Sequence, residues 1–141
     1  MFKFLPVLFL AVLLLTFTTP TTAIEGNTVC ETSSGSPLAS EFISVAKDFE
    51  DRVVPGGRGP CIQGKFNDIN GRPGCSKCWD LGSGRLVVSI CGTKDSRYSY
   101  SDLAASLRRL ERECTNSFGG TRRTGGKWRV QGGQFEILVH F

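Results

Sequence analysis

Apolar positions recur with a recognisable period in several stretches of this chain. Leu38, Phe42, Val45, Ala46 and Phe49 follow helical spacing, with Ser36 placed to cap, Pro37 suited to a first turn, and Pro55-Gly56-Gly57 as a stop. A second helix opens near 99–101, where Ser99 and Asp102 have capping-box spacing. On it Leu103, Leu107, Leu110 and Cys114 share one face, and Arg108, Arg109 and Arg112 lie largely off that stripe. Cys114 is thereby aimed at the core. Between the helices the run 86–91 is nearly all apolar and predicts a central strand covered on both faces. Residues 61–66 form a weaker strand candidate, and 66–84 are rich in loop formers.

The C-terminal pattern is the clearest. Residues 127–131 and 134–141 flank Gly132-Gly133, a pair suited to a type I′ hairpin turn. In that register Val130 faces Phe135 and Trp128 faces Ile137 on one side of the ribbon. Arg129 faces Glu136 on the other, a favourable cross-strand pair. The order helix, one or more strands, helix, hairpin predicts an α+β fold. It is a two-layer sandwich of two helices on a mainly antiparallel sheet, ending in a β-hairpin.

The first residues stand apart from this pattern. Residues 1–23 carry a lone Lys3, an apolar run and a small-residue ending, the make-up of a secretory signal peptide. Residues 24–141 are then a single secreted, extracellular domain with no integral membrane segment. Losing Lys3 lowers the formal charge from +4 to +3 and keeps all six cysteines. An even cysteine count in a secreted chain predicts disulfides, so Cys30, Cys61, Cys75, Cys78, Cys91 and Cys114 read as staples. Each would add roughly 2–4 kcal/mol per bridge to a core already large enough to fold. Many pairings are open; the reading favours Cys91 with Cys114, joining the central strand to the second helix. Cys75-Ser76-Lys77-Cys78 also has the spacing of a redox pair, or of zinc ligands with Cys61 and Cys91. The oxidising compartment favours two cysteines that each bridge elsewhere, with no metal and no cofactor.

Charge is unevenly spread. Residues 24–107 carry nine basic and ten acidic side chains, whereas 108–141 carry seven basic and three acidic. Arg122, Arg123, Lys127 and Arg129, with Trp128 among them, lie in or beside a Gly-rich loop. They are the candidate target-binding residues, a basic lobe for anionic lipid, a channel mouth or a wall polymer. Arg122-Arg123 is also a candidate dibasic processing site. Nucleic acid is disfavoured by the modest net charge and by Trp128 being the one evident stacking platform. His140 is the sole histidine, and Glu136, on the same strand face, lies about 13 Å away along the strand. No acid–base pair follows from that spacing, which points to a binding protein rather than an enzyme.

Several of these segments resemble known families. Cys30-Glu31-Thr32-Ser33-Ser34 resembles the opening of secreted fungal killer-toxin-like proteins. Ser36-Pro37-Leu38 before a helix, and Gly59-Pro60-Cys61-Ile62-Gln63 after it, are similar to the related necrosis-inducing effectors. So is the ending, a helix to Cys114, a Gly-rich loop and then Val130-Gln131-Gly132-Gly133-Gln134-Phe135-Glu136-Ile137. The resemblance implies a cysteine-rich α/β sandwich without enzymatic activity. It implies toxicity or virulence toward a host or competing cell, at a channel, receptor or wall polymer; the chain is expected to act as a monomer. A narrower resemblance joins Gly74-Cys75-Ser76-Lys77-Cys78-Trp79-Asp80-Leu81 to the cerato-platanin and expansin group. That one implies a double-psi β-barrel that binds cell-wall carbohydrate, with Trp79 as platform.

Overall fold

A computed structural model of the protein describes residues 25–51, 59–66, 71, 74–82, 85–131 and 135–140. The expected signal peptide at 1–23, the expected Pro55-Gly56-Gly57 stop and the expected Gly132-Gly133 turn lie outside the described residues.

Both helices form where periodicity places them. Helix α1 (Ala39–Glu50) buries Phe42, Val45, Ala46 and Phe49, and α2 (Tyr100–Cys114) buries Leu103, Leu107, Leu110 and Cys114. Ser99 caps α2, its hydroxyl accepting the Asp102 N–H at 3.1 Å. The start of α1 differs from expectation. Leu38 is its N-cap, and the Glu41 carboxylate reaches back to accept the Leu38 N–H at 3.1 Å. Ser36 is buried and accepts the Ser33 N–H at 2.9 Å, closing the preceding turn instead of opening the helix.

Five strands make one antiparallel sheet. In chain order they are β1 (Gly26–Cys30), β3 (Cys75–Asp80), β4 (Val87–Gly92), β8 (Gly126–Val130) and β9 (Phe135–His140). Their order across the sheet is β1-β8-β9-β4-β3. Two short ribbons complete the described fold, β2 (Cys61–Ile62) with β5 (Arg97–Tyr98), and β6 (Thr115–Phe118) with β7 (Thr121–Thr124). Trp128 pairs with Ile137 and Arg129 with Glu136, the register a two-residue turn at 132–133 requires.

Strand alternation sorts the sheet into two faces. Val88, Ile90, Trp128, Ile137 and Val139 share one face and join the stripes of α1 and α2 in a single core. Both helices therefore cover the same side, which is the α+β two-layer sandwich expected. The sheet is open, with β1 and β3 as edges, and does not have the form of a closed barrel. On the opposite face Ser89 and Cys91 of β4 are also buried, shielded across the strands by His140 and Cys75. A β-bulge in β3 between Lys77 and Trp79 interrupts the alternation. It lets Cys78 and Trp79, neighbours in sequence, both pack against the core.

Three disulfides tie these parts together: Cys30–Cys114, Cys61–Cys78 and Cys75–Cys91. Cys75 and Cys78 thus each bridge elsewhere. The expected Cys91–Cys114 link is replaced, and the sheet register explains why. Cys91 follows Ile90 and so points away from the helices, directly opposite Cys75. Cys30 lies on the helix side of β1, where the end of α2 delivers Cys114. No helix among the described residues is long and apolar enough to cross a membrane.

Candidate functional site

The charge-rich last quarter of the chain runs from the middle of α2 through β6, β7, β8 and β9. Its first surprise is local. The segment read as a Gly-rich loop is a hairpin, with β6 and β7 joined at Gly119-Gly120. Both glycines hold positive φ, 57° and 79°, the pair of left-handed conformations a type I′ turn needs. Gly126, at φ 143°, begins β8 so close to β1 that an added Cβ would stand 2.3 Å from the Val29 carbonyl oxygen.

The structure separates the five residues that sequence grouped. Arg122 and Arg123 are adjacent on a strand and project to opposite sides. Arg122 reaches Glu111 of α2 at 3.3 Å and keeps an exposed side chain. Arg123 turns the other way and donates to the Ser36 carbonyl, holding the segment before α1 against β7. Lys127 and Arg129 alternate with Trp128 along β8, so the two cations sit on the sheet face away from the helices. Lys127 lies between Glu31 at 3.5 Å and Glu136 at 3.6 Å, and Arg129 donates to Glu136 at 2.8 Å. Trp128 is in the core at 2 % exposure, so it offers no surface platform. The Arg109 guanidinium stands 5.1 Å from its ring centroid, a cation–π cover.

Sequence grouping also left out cations that the fold presents. The outer side of α2 carries Arg108, Arg109 and Arg112. Arg108 forms a two-pronged contact with Glu50 of α1, at 2.6 and 2.7 Å. That pairing holds the Glu50 carboxyl below the usual carboxylate range and raises the Arg108 guanidinium. Arg109 meets Glu113, whose carboxyl is lowered first by the Thr28 hydroxyl and then by Arg109. Arg112 is the most open, 67 % exposed, with Glu113 at 3.7 Å. Arg112 and Arg122 are therefore the most exposed cations of this quarter, followed by Arg109 at 50 %, which covers Trp128, and Arg129 at 49 %, which lies on the other face of the sheet. The signal for Arg112 was present in the sequence, since it falls off the Leu103–Leu107–Leu110 stripe.

Other flagged residues find structural partners. His140 Nε2 lies 3.2 Å from the Ser89 hydroxyl, across β4 and β9. Trp79 is partly buried and packs on Phe49, ring centroids 6.0 Å apart. A half-open cleft of about 620 Å³ lies between the end of α1 and the start of α2, bordered by Phe49, Pro60, Tyr100 and Arg108. No group of three or more metal-ligating side chains occurs among the described residues. No family model matches the chain, and comparison with curated proteins and with solved structures returns no similar protein.

Proposed function

We propose that this protein is a secreted, non-enzymatic effector or toxin-like protein that acts on a host or competing cell. Its target is a surface component, a channel, receptor or wall polymer, met by the cations of the C-terminal quarter. The observation that carries the reading is how those cations are displayed. Arg112, Arg122 and Arg129 keep side-chain exposures of 67, 65 and 49 % on three separate elements. Those elements are tied to the rest of the fold by Cys30–Cys114 and by the place of β8 between β1 and β9. Cations on pre-ordered elements lose little freedom on meeting an anionic partner. Three bridges also suit a protein that works where thiols are oxidised.

The test is potency against sensitive cells. The oxidised protein is added to growing fungal or plant cells beside a variant with Arg112→Ser, Arg122→Ser and Arg129→Ser. These positions are exposed, so the variant keeps its denaturation midpoint nearly unchanged. The expected outcome is a loss of potency on the order of tenfold or more, eased by raising salt in the assay. Equal potency of the two proteins overturns the reading. Retention of the protein on chitin, glucan or cellulose would place the target in the wall.

A further inference from the structure

Arg122-Arg123 is a paired basic motif that the effector reading uses only as charge, and its setting in the fold is unusual. Strand β7 is covered along both edges. On one side β6 pairs with it through Asn116↔Arg123 and Ser117↔Arg122. On the other, the segment before α1 runs alongside. Leu38 bridges Arg123, the Thr124 N–H donates to the Pro37 carbonyl at 3.0 Å, and the Glu31 N–H donates to the Gly125 carbonyl at 3.0 Å. Thr32 exchanges hydrogen bonds with Gly125 through its hydroxyl, at 3.0 Å in each direction. An endoprotease binds its substrate as an added extended strand, which needs free backbone groups. A strand paired on both edges offers few.

The two covering segments share one tether. Cys30 immediately precedes Glu31, and Cys114 immediately precedes β6, so the Cys30–Cys114 bridge fastens both flanks of β7 at their roots. Cys30 is also the only exposed cysteine of the six, while its partner Cys114 is buried, so a reductant would approach this bridge from the Cys30 side. Beyond Cys114 the chain contains no further cysteine. Residues 124–141 therefore carry β8 and β9, two strands of the sheet's interior, with no covalent link to the rest except the backbone at Arg123.

We propose that the Arg123–Thr124 peptide bond is a proteolytic site held closed by the Cys30–Cys114 disulfide and opened by its reduction. Two small-molecule thiols reduce the bridge, leaving Cys30 and Cys114 as thiols and joining to each other as a disulfide. The flanks of β7 then separate, and an endoprotease selective for paired basic residues hydrolyses the bond. The C–N bond breaks as water adds across it, its oxygen entering the new Arg123 carboxylate and a proton going to the Thr124 nitrogen, which leaves as an amine. The cut is irreversible in effect, because the released 124–141 piece takes the middle of the sheet with it. The other basic pair, Arg108-Arg109, behaves differently: it is in mid-helix, with Arg108 clamped to Glu50 and Arg109 on Trp128. This proposal is independent of the effector reading, since it concerns the bond and not the target.

The experiment exposes three proteins to such an endoprotease: the oxidised protein, the Cys30→Ser/Cys114→Ser variant and the Cys61→Ser/Cys78→Ser variant. Mass spectrometry locates the cuts. The expected result is cleavage after Arg123 about tenfold or more faster in the first variant than in the other two proteins. Comparable cleavage in the oxidised protein, or equal lability of the two variants, overturns it. Should the first variant not fold, the natural protein is treated with graded dithiothreitol, digested, and its free thiols alkylated. Cut molecules are expected to carry alkyl groups on Cys30 and Cys114 with the other two bridges intact. Cut molecules with all three bridges reduced, or cut first after Arg109, overturn the proposal.

Discussion

Strand β3 and the β8–β9 pair hold the same sheet by opposite means. β3 is an edge strand, interrupted by a bulge, and no residue of it is fully buried. It carries two cysteines, bridged to β2 and to β4 over separations of 17 and 16 residues. The β8–β9 pair has no cysteine, lies in the interior of the sheet, and buries Trp128, Ile137 and Val139 at 4 % exposure or less. Covalent staples thus occur where burial is thin, and are missing where packing suffices. The comparison teaches that each disulfide of this protein fastens a cysteine of an edge strand, β1 or β3, to a buried partner, Cys61, Cys91 or Cys114.

Three measurements would break or sharpen that contrast. The largest effect is expected from Trp128→Ala, which empties the centre of the core and removes the surface that Arg109 covers. A loss of about 3–5 kcal/mol should appear as a lower midpoint in urea. Next comes Cys75→Ser with Cys91→Ser, which frees a short loop; about 3 kcal/mol is expected by the same assay. If losing this bridge destabilises clearly more than Trp128→Ala does, the division into stapled edge and packed centre is wrong. The smallest effect concerns the surface ion pairs that belong to neither region. Glu50 and Glu113 titrate below the ordinary value of 4.5 in the folded state. Their stabilisation is therefore present above that value and is lost as pH falls through the lowered folded range. Both are substantially exposed, at 42 and 35 %, so screening keeps the joint contribution below about 1 kcal/mol. Urea midpoints compared above and below pH 4.5, with Glu50→Gln beside the natural protein, would measure it. A fall that the substitution leaves unchanged would assign the acid sensitivity to other groups.

The elements legible in the sequence were those with their own periodicity. The stripe of α2, its Ser99 cap, the run that became β4 and the β8–β9 register all follow from local pattern. What escaped notice depends on partners far away in the chain. β1 is a short strand without alternation, opened by a glycine because an added Cβ at Gly26 would stand 2.2 Å from the Arg129 carbonyl oxygen. β3 hides in a loop-like composition because its bulge breaks the period-two signal. The Cys91 error has the same origin. Which face a strand cysteine takes depends on register, and one residue of slip reverses it. In the candidate site, charge counting singles out the last quarter of the chain but groups residues that strand alternation separates. Trp128 shows the cost of that most plainly, since its neighbours are charged and its own side chain is core.

The place of β8 and β9 inside the sheet also bears on the order in which the protein comes into being. During synthesis β1, α1, β3, β4 and α2 all emerge before residue 126, yet β1 and β4 have no contact as sheet neighbours until the hairpin lies between them. All three bridges, Cys30–Cys114 included, join residues already present by then. The two halves of the sheet must wait, each with an open edge, for a late segment that closes both at once. Long-range pairing of this kind folds slowly. The nascent chain therefore passes through its most aggregation-prone interval with every cysteine already in place and two interior strands still to come.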